Sequence, residues 1–156
     1  MRDLGRPNTD NNFLCVHAQL LAGSYSRLTG KELLAVECDY KDIPRALFEA
    51  PFGLVSHNTD PIPVFNYGNQ TALAAFELEW PEFISLASRD SAEPVNQAER
   101  ELLMSKVKQD GFIENYRGIR ISSSGRRFWI DRATIWNVID EAGDYRGQAA
   151  VFSLGE

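Results

Sequence analysis

The sequence predicts an α/β fold of the α+β kind, with helices and antiparallel strands largely segregated along the chain. Three observations carry this expectation. The last third alternates apolar and polar residues over three long segments divided by turn residues, the period-2 mark of half-buried strands. Two shorter strand-like runs flank the turn Asn58-Thr59-Asp60-Pro61. Between the two groups, residues 69–110 carry helical spacing.

Residues 1–9 read as a loose polar tail with Gly and Pro and no periodicity. Asp10, Asn11 and Asn12 offer acceptors for the free N–H groups of a helix start. Behind them Phe13, Leu14, His17, Leu20, Leu21, Ser24, Tyr25 and Leu28 share one face, and Gly30 is the expected left-handed stop. The spacing predicts an amphipathic helix over 11–29 whose stripe needs a cover, either the domain body or a partner. Residues 31–43 read as a connector and 44–50 as a short helical turn ended before Pro51. Strands at 52–57 and 63–67 follow, and Asn69 caps a helix running to Glu77. Trp80-Pro81 opens another short helix, with proline in the first turn where its missing N–H costs nothing. From about Asn96 to Asp110, Ala98, Leu102, Leu103, Met104 and Val107 keep the helical period until Gly111. Strands at 112–122, 127–139 and 145–154 close the chain, with turns at Ser123-Ser124-Gly125 and Glu141-Ala142-Gly143-Asp144. No linker or repeat interrupts this order, so residues 10–156 are expected to form one domain.

A chain of 156 residues, 44% apolar and 24% charged, suits one globular core. No apolar run approaches the ~20 residues of a membrane span. The N-terminal charges have no apolar stretch behind them, so no signal peptide is read and a cytoplasmic protein with no membrane partner is expected. The net charge of −6 repels phosphate backbones, so direct nucleic-acid binding is not expected. Arg117, Arg120, Arg126 and Arg127 read as the solvated face and turn of a hairpin. Cys15 and Cys38 make neither a disulfide framework nor a metal spacing, and Cys15 is expected to be a buried, inert thiol.

The residues go further. Pro51-Phe52 leading to Ser56-His57, then Pro63-Val64-Phe65-Asn66-Tyr67-Gly68-Asn69, resembles the MEKHLA family. So do Ser88-Arg89 with Ser91-Ala92-Glu93-Pro94, and Ala98-Glu99-Arg100. Gly111-Phe112-Ile113, Tyr116 to Ser122, Gly125-Arg126-Arg127-Phe128, Ala133 to Asn137 and Gly147-Gln148-Ala149-Ala150 complete the likeness, which runs from about Phe13 to Phe152. The resemblance, to the small stand-alone bacterial type, implies a PAS-like fold: one five-stranded antiparallel sheet, helices on one face enclosing a pocket, and an N-terminal flanking helix. It also implies a sensory or regulatory module, since the family occurs in plant homeodomain–leucine-zipper factors with a role in dimerisation. PAS domains often dimerise through such a flanking helix, so the helix at 11–29 is expected outside the core, supporting a homodimer.

Against this background the chemistry-bearing residues are few. The region comparable to the flavin-reactive segment, Ser88 to Arg100, has no cysteine, so covalent flavin chemistry is not expected. The helix over 96–110 has no histidine for haem, and two isolated histidines give no metal site. No cofactor is named by the sequence. His17 on an apolar stripe reads as a core or interface residue, and Asp131 as an edge or bulge residue paired with an arginine. Trp80, Trp129 and Trp136 read as core aromatics, and Arg89 with Glu93 as a loop tie. Asn66, Tyr67, Asn69, Trp80, Arg89, Tyr116, Arg120 and Trp136 form a polar-aromatic set around the presumed pocket. Asn66, Tyr67, Arg89, Tyr116, Trp136 and His57 are the candidate ligand-binding residues, with no catalytic residue assigned. Three readings stand: a non-catalytic module binding a small molecule or a partner protein, a small enzyme using the same cavity for acid/base chemistry, and an interaction domain with a filled core.

Overall fold

The computed structural model describes residues 5–34 and 42–155. Cys38 lies outside them, as does most of the 31–43 connector. Strands Gly53–His57 (β1), Phe65–Gly68 (β2), Phe112–Ile121 (β3), Arg127–Ile139 (β4) and Tyr145–Gly155 (β5) form one antiparallel sheet in the order β2-β1-β5-β4-β3. Each lies within two residues of its expected bounds. The helices are Cys15–Thr29 (α1), Ile43–Phe48 (α2), Gln70–Phe76 (α3), Trp80–Phe83 (α4) and Pro94–Asp110 (α5), with 3-10 turns at Thr9–Leu14 and Ser88–Ser91.

Local chemistry explains most boundaries. Asn69 is fully buried, and its Oδ1 accepts from Ala72 N at 3.1 Å and from Leu54 N at 3.0 Å. Its Nδ2 donates to the carbonyls of Leu47 and Phe52, so one amide caps α3 and ties it to α2 and β1. Gly111, at φ 100°, ends α5. The β3–β4 turn is tied to the C-terminus of α3, where Ser122 and Ser124 both donate to the Glu77 carboxylate and Ser123 Oγ to the Glu77 carbonyl. Those hydroxyls hold the Glu77 carboxyl below its usual pKa range. Gly147, at φ 125°, brings β5 so close to β1 that a Cβ there would stand 2.0 Å from the carbonyl oxygen of His57.

Several expectations for the N-terminus are corrected. The segment from Gly5 is packed: Pro7 is fully buried, and the Arg6 guanidinium lies over the Phe48 ring. The cap is Asn8, paired reciprocally with Asn11, in place of Asp10, Asn11 and Asn12. Asn12, Phe13 and Leu14 take left-handed φ of 54°, 53° and 51°, and regular helix begins only at Cys15. This turn lets Phe13 pack on Phe48 at 6.1 Å. Cys15 is half-buried.

The helix α1 does not stand outside the core. Ala18 and Leu21 are fully buried and Tyr25 is 8% exposed, all packed against the sheet. Ser24 Oγ donates to the Asn137 carbonyl at 2.8 Å and accepts from Ile139 N at 3.2 Å. The reason is geometric. On β4, Trp136 meets the Tyr25 ring of α1 at 4.9 Å, while Asn137 Nδ2 donates to the Lys108 carbonyl of α5. Successive strand residues face opposite sides, so α1 covers one face of the sheet and α5 the other. Without α1 the outer face of β4 would be bare.

Among the sheet's irregularities is a bulge in β4 between Asp131 and Thr134, with Arg132 at φ 47°. Asp131 faces Arg117 at 3.5 Å, so of the edge and bulge positions the sequence left open it takes the bulge, paired with an arginine as expected.

Candidate functional site

Between α5 and the inner face of the sheet lies a cavity of about 50 Å³. Alternation on β1 and β5 turns Val55, His57, Gln148, Ala150 and Phe152 toward it, and β3 and β4 add Arg120, Ile130 and Ile135. From the helical side come Phe76 of α3, Ser91 of the second 3-10 turn, and Arg100 and Met104 of α5. The lining is thus mostly apolar with a few converging polar groups, the composition of a small-ligand pocket. A more open cleft of about 430 Å³ adjoins it, sharing His57, Arg100, Met104 and Gln148.

The polar groups are unusual for their burial. Arg100 is 8% exposed and Arg120 6%. Desolvation, with the neighbouring Arg120 charge behind it, lowers the Arg100 guanidinium to a pKa of about 10. Arg100 Nη2 donates to Ser88 Oγ at 2.7 Å, and Arg120 Nη1 donates to the Ile119 carbonyl at 2.8 Å. His57 is pushed down first by burial and then by the Arg100 charge, against the opposing bonds to Asn58 and Gln148. Its Nδ1 faces the Asn58 carbonyl at 3.0 Å; a carbonyl only accepts, so Nδ1 carries the proton and Nε2 is left as an acceptor. Gln148 Nε2 donates to the Met104 carbonyl, pinning β5 to α5.

Of the six candidate ligand residues, only His57 lines this cavity. Tyr67 and Trp136 are buried on the opposite face, under α1: the Tyr67 ring stacks on His17 at 5.5 Å, and Trp136 meets Tyr25. The Tyr67 hydroxyl and Trp136 Nε1 have no hydrogen-bond partner among the described residues. Asn66 belongs to the same side, accepting from Ser56 Oγ at 2.5 Å. Arg89 is exposed on the rim of the open cleft, and Glu93 pairs with Arg127 instead of tying Arg89. Tyr116 is half-buried beneath the Arg120 guanidinium, its hydroxyl 3.4 Å from Glu99. Arg120 also departs from the solvated hairpin face expected of it, whereas Arg117, Arg126 and Arg127 are exposed. Of the three tryptophans Trp80 and Trp136 are buried, and Trp129 is half-buried beneath Arg117.

Ser56, Ser91, Arg100 and Gln148 are the polar lining residues that sequence reasoning missed. A signal for Arg100 exists: it stands seven residues before the fully buried Val107, on the face of α5 that turns inward. Leu102, counted into the stripe by its apolarity, is 74% exposed.

On the α1 side, His17 Nε2 lies 2.9 Å from Ser56 Oγ. Ser56 gives its proton to the Asn66 amide oxygen, so it accepts from His17 Nε2–H. A serine beside a histidine is therefore not poised as a base-activated nucleophile here. Desolvation drops the His17 pKa to about 4, keeping it neutral near pH 7.

The MEKHLA domain matches residues 15–154, nearly the whole described fold. The chain belongs to the MEKHLA domain family. Among curated proteins, the Arabidopsis thaliana homeobox-leucine zipper protein ATHB-9 is 28% identical over 126 residues, covering 76% of this chain. The MEKHLA chain spans only 15% of that relative's length. Solved PAS folds resemble it throughout. A PAS domain from Colwellia psychrerythraea, 12% identical, superposes with a TM-score of 0.64 over 74% of this chain and 95% of that one. A light-oxygen-voltage domain studied with a flavin analogue gives 0.61 at 17% identity, over 74% and 85% of the two chains. The PAS domain of a LuxR-family regulator from Burkholderia thailandensis, in complex with ethanol, gives 0.56 at 21% identity, over 75% and 97%. The MEKHLA chain therefore has a PAS-like fold. Among the described residues no helix is long and apolar enough to cross a membrane.

Proposed function

We propose that this MEKHLA chain is a non-catalytic sensory or regulatory module that binds a small molecule in the cavity between α5 and the sheet. The observation that carries this reading is the mainly apolar cavity into which His57, Ser91, Arg100, Arg120 and Gln148 converge. Its volume of about 50 Å³ is well below the ~150 Å³ that holds a benzene ring, so it suits a molecule of a few heavy atoms. The ethanol complex of the LuxR-family PAS domain is a precedent for ligands of that size in this fold. The Ser56 proton pointed at Asn66, away from His17, supports a binding role over hydrolysis.

The test is a thermal-shift screen of the full chain against short carboxylates, short alcohols, nucleotides and flavins, with native mass spectrometry on each hit. One-to-one binding of a molecule with a few heavy atoms, and no effect from flavins or nucleotides, is expected. A flat screen with only the bare chain mass removes the reading in favour of an interaction domain with a filled core.

We extend the proposal to self-association. With the α1 stripe buried, the apolar surface left for it is the helix's outward side, where Val16 is 80% exposed.

A further inference from the structure

We propose that the inner cavity takes a small carboxylate, held between the guanidinium groups of Arg100 and Arg120. This rests on the ligand-binding reading above and names the chemical class of the ligand. Arg100 enters from α5 and Arg120 from β3, each more than nine-tenths buried, and both line one cavity. A guanidinium has five N–H donors. Among the described residues these two find one serine hydroxyl and one backbone carbonyl as acceptors.

No carboxylate among the described residues lies within 4.0 Å of either group. Glu101 and Asp90 act on Arg100 only through longer-range attraction, and Glu99 is bonded to Tyr116. Several exposed arginines, Arg45, Arg117, Arg126, Arg127 and Arg146, face an acidic partner, while the two buried ones line one cavity and the Arg120 charge bears on Arg100. Like charges withdrawn from water are unfavourable unless an anion joins them.

A carboxylate supplies that anion, and its two oxygens match the planar guanidinium fork. The remaining lining decides between anions. Val55, Phe76, Ile130, Ile135 and Phe152 offer apolar contact that an inorganic oxyanion does not use and a short alkyl tail does. The open cleft shares His57, Arg100, Met104 and Gln148 with the cavity, so a ligand enters past Arg100.

The experiment titrates the full 156-residue chain with sodium propionate at constant ionic strength, with propanol, phosphate and chloride as comparison arms. Propionate is expected to raise the melting temperature by about 5 °C near saturation. Propanol and chloride leave it in place, and phosphate acts more weakly than propionate. Arg120→Met and Arg100→Met are each expected to weaken propionate binding at least about tenfold, as loss of a charge-assisted bond does. Each also removes an uncompensated buried charge, so the ligand-free variants should melt at or above the wild-type temperature, with circular dichroism confirming the fold. Propanol binding as well as propionate overturns the carboxylate while leaving the binding module intact. Phosphate binding better than propionate replaces it with an inorganic oxyanion. No response to any arm or to the wider screen removes both proposals. A lowered ligand-free melting point with an unchanged propionate response in both variants makes the arginines part of the scaffold.

Discussion

His17 is an ordinary imidazole in the unfolded chain, with a pKa of 6.5, and one of about 4 once its ring is enclosed between Tyr67 and Ser56. The unfolded state therefore takes up the proton first as pH falls. Stability from this group is complete above pH 6.5 and is lost progressively down to about pH 4, with His57 shifted in the same direction. Between pH 7 and pH 5 the loss is on the order of 2 kcal/mol. Urea unfolding at the two pH values measures it. Equal stability at both would show that the His17 ring is wetter than the fold implies. His17→Leu should flatten the profile, although it removes the donor to the Ser56 oxygen and lowers stability at pH 7 by about 1 kcal/mol.

At the scale of one element, α1 decides whether the sheet has a covered outer face. Leu21→Ala empties a fully buried position and is expected to cost about 2–5 kcal/mol, read as a shift of the urea midpoint. Deleting residues 1–30 removes Leu14, Ala18, Leu21 and Tyr25 together and bares Trp136 and Val138. Loss of cooperative unfolding is expected, and a folded, soluble deletion product would return α1 to the role of an accessory. Val16→Asp on the outward side should change stability by no more than about 0.5 kcal/mol. Sedimentation of that variant beside wild type reads self-association separately from folding, and an unchanged oligomeric state removes that extension. The stripe Phe13, Leu20, Leu21, Tyr25 and Leu28 showed that the helix needed a cover, but a stripe carries no address for what covers it.

For the whole molecule, the sheet order puts β5 in the middle, with β1 and β4 on its flanks and β2 and β3 at the edges. Residues 148–151 pair with β1 on one side and β4 on the other, so their ladder amides open only when the domain opens. Hydrogen exchange followed by mass spectrometry should find the slowest amides in β5 and faster exchange in β2 and the outer half of β3. Fastest exchange in β5 would contradict the strand order.

The sequence by itself determined the strands, the short helices and their stops, because alternation, Asn69, Pro81, Gly30 and Gly111 act through neighbours in the chain. It also carried the family likeness, spread over motifs from Phe13 to Phe152. It did not determine the site, because strand parity says which residues share a face and not which face is which. Tyr67 and Trp136 looked like pocket residues, yet their side of the sheet is the one α1 covers. Arg120 read both as a solvated hairpin arginine and as one of the set around the pocket, and only the packing of α5 over β3 put it in the same cavity as Arg100. Burial of a charge depends on residues distant in sequence closing around it, so that pair belongs to the tertiary structure alone.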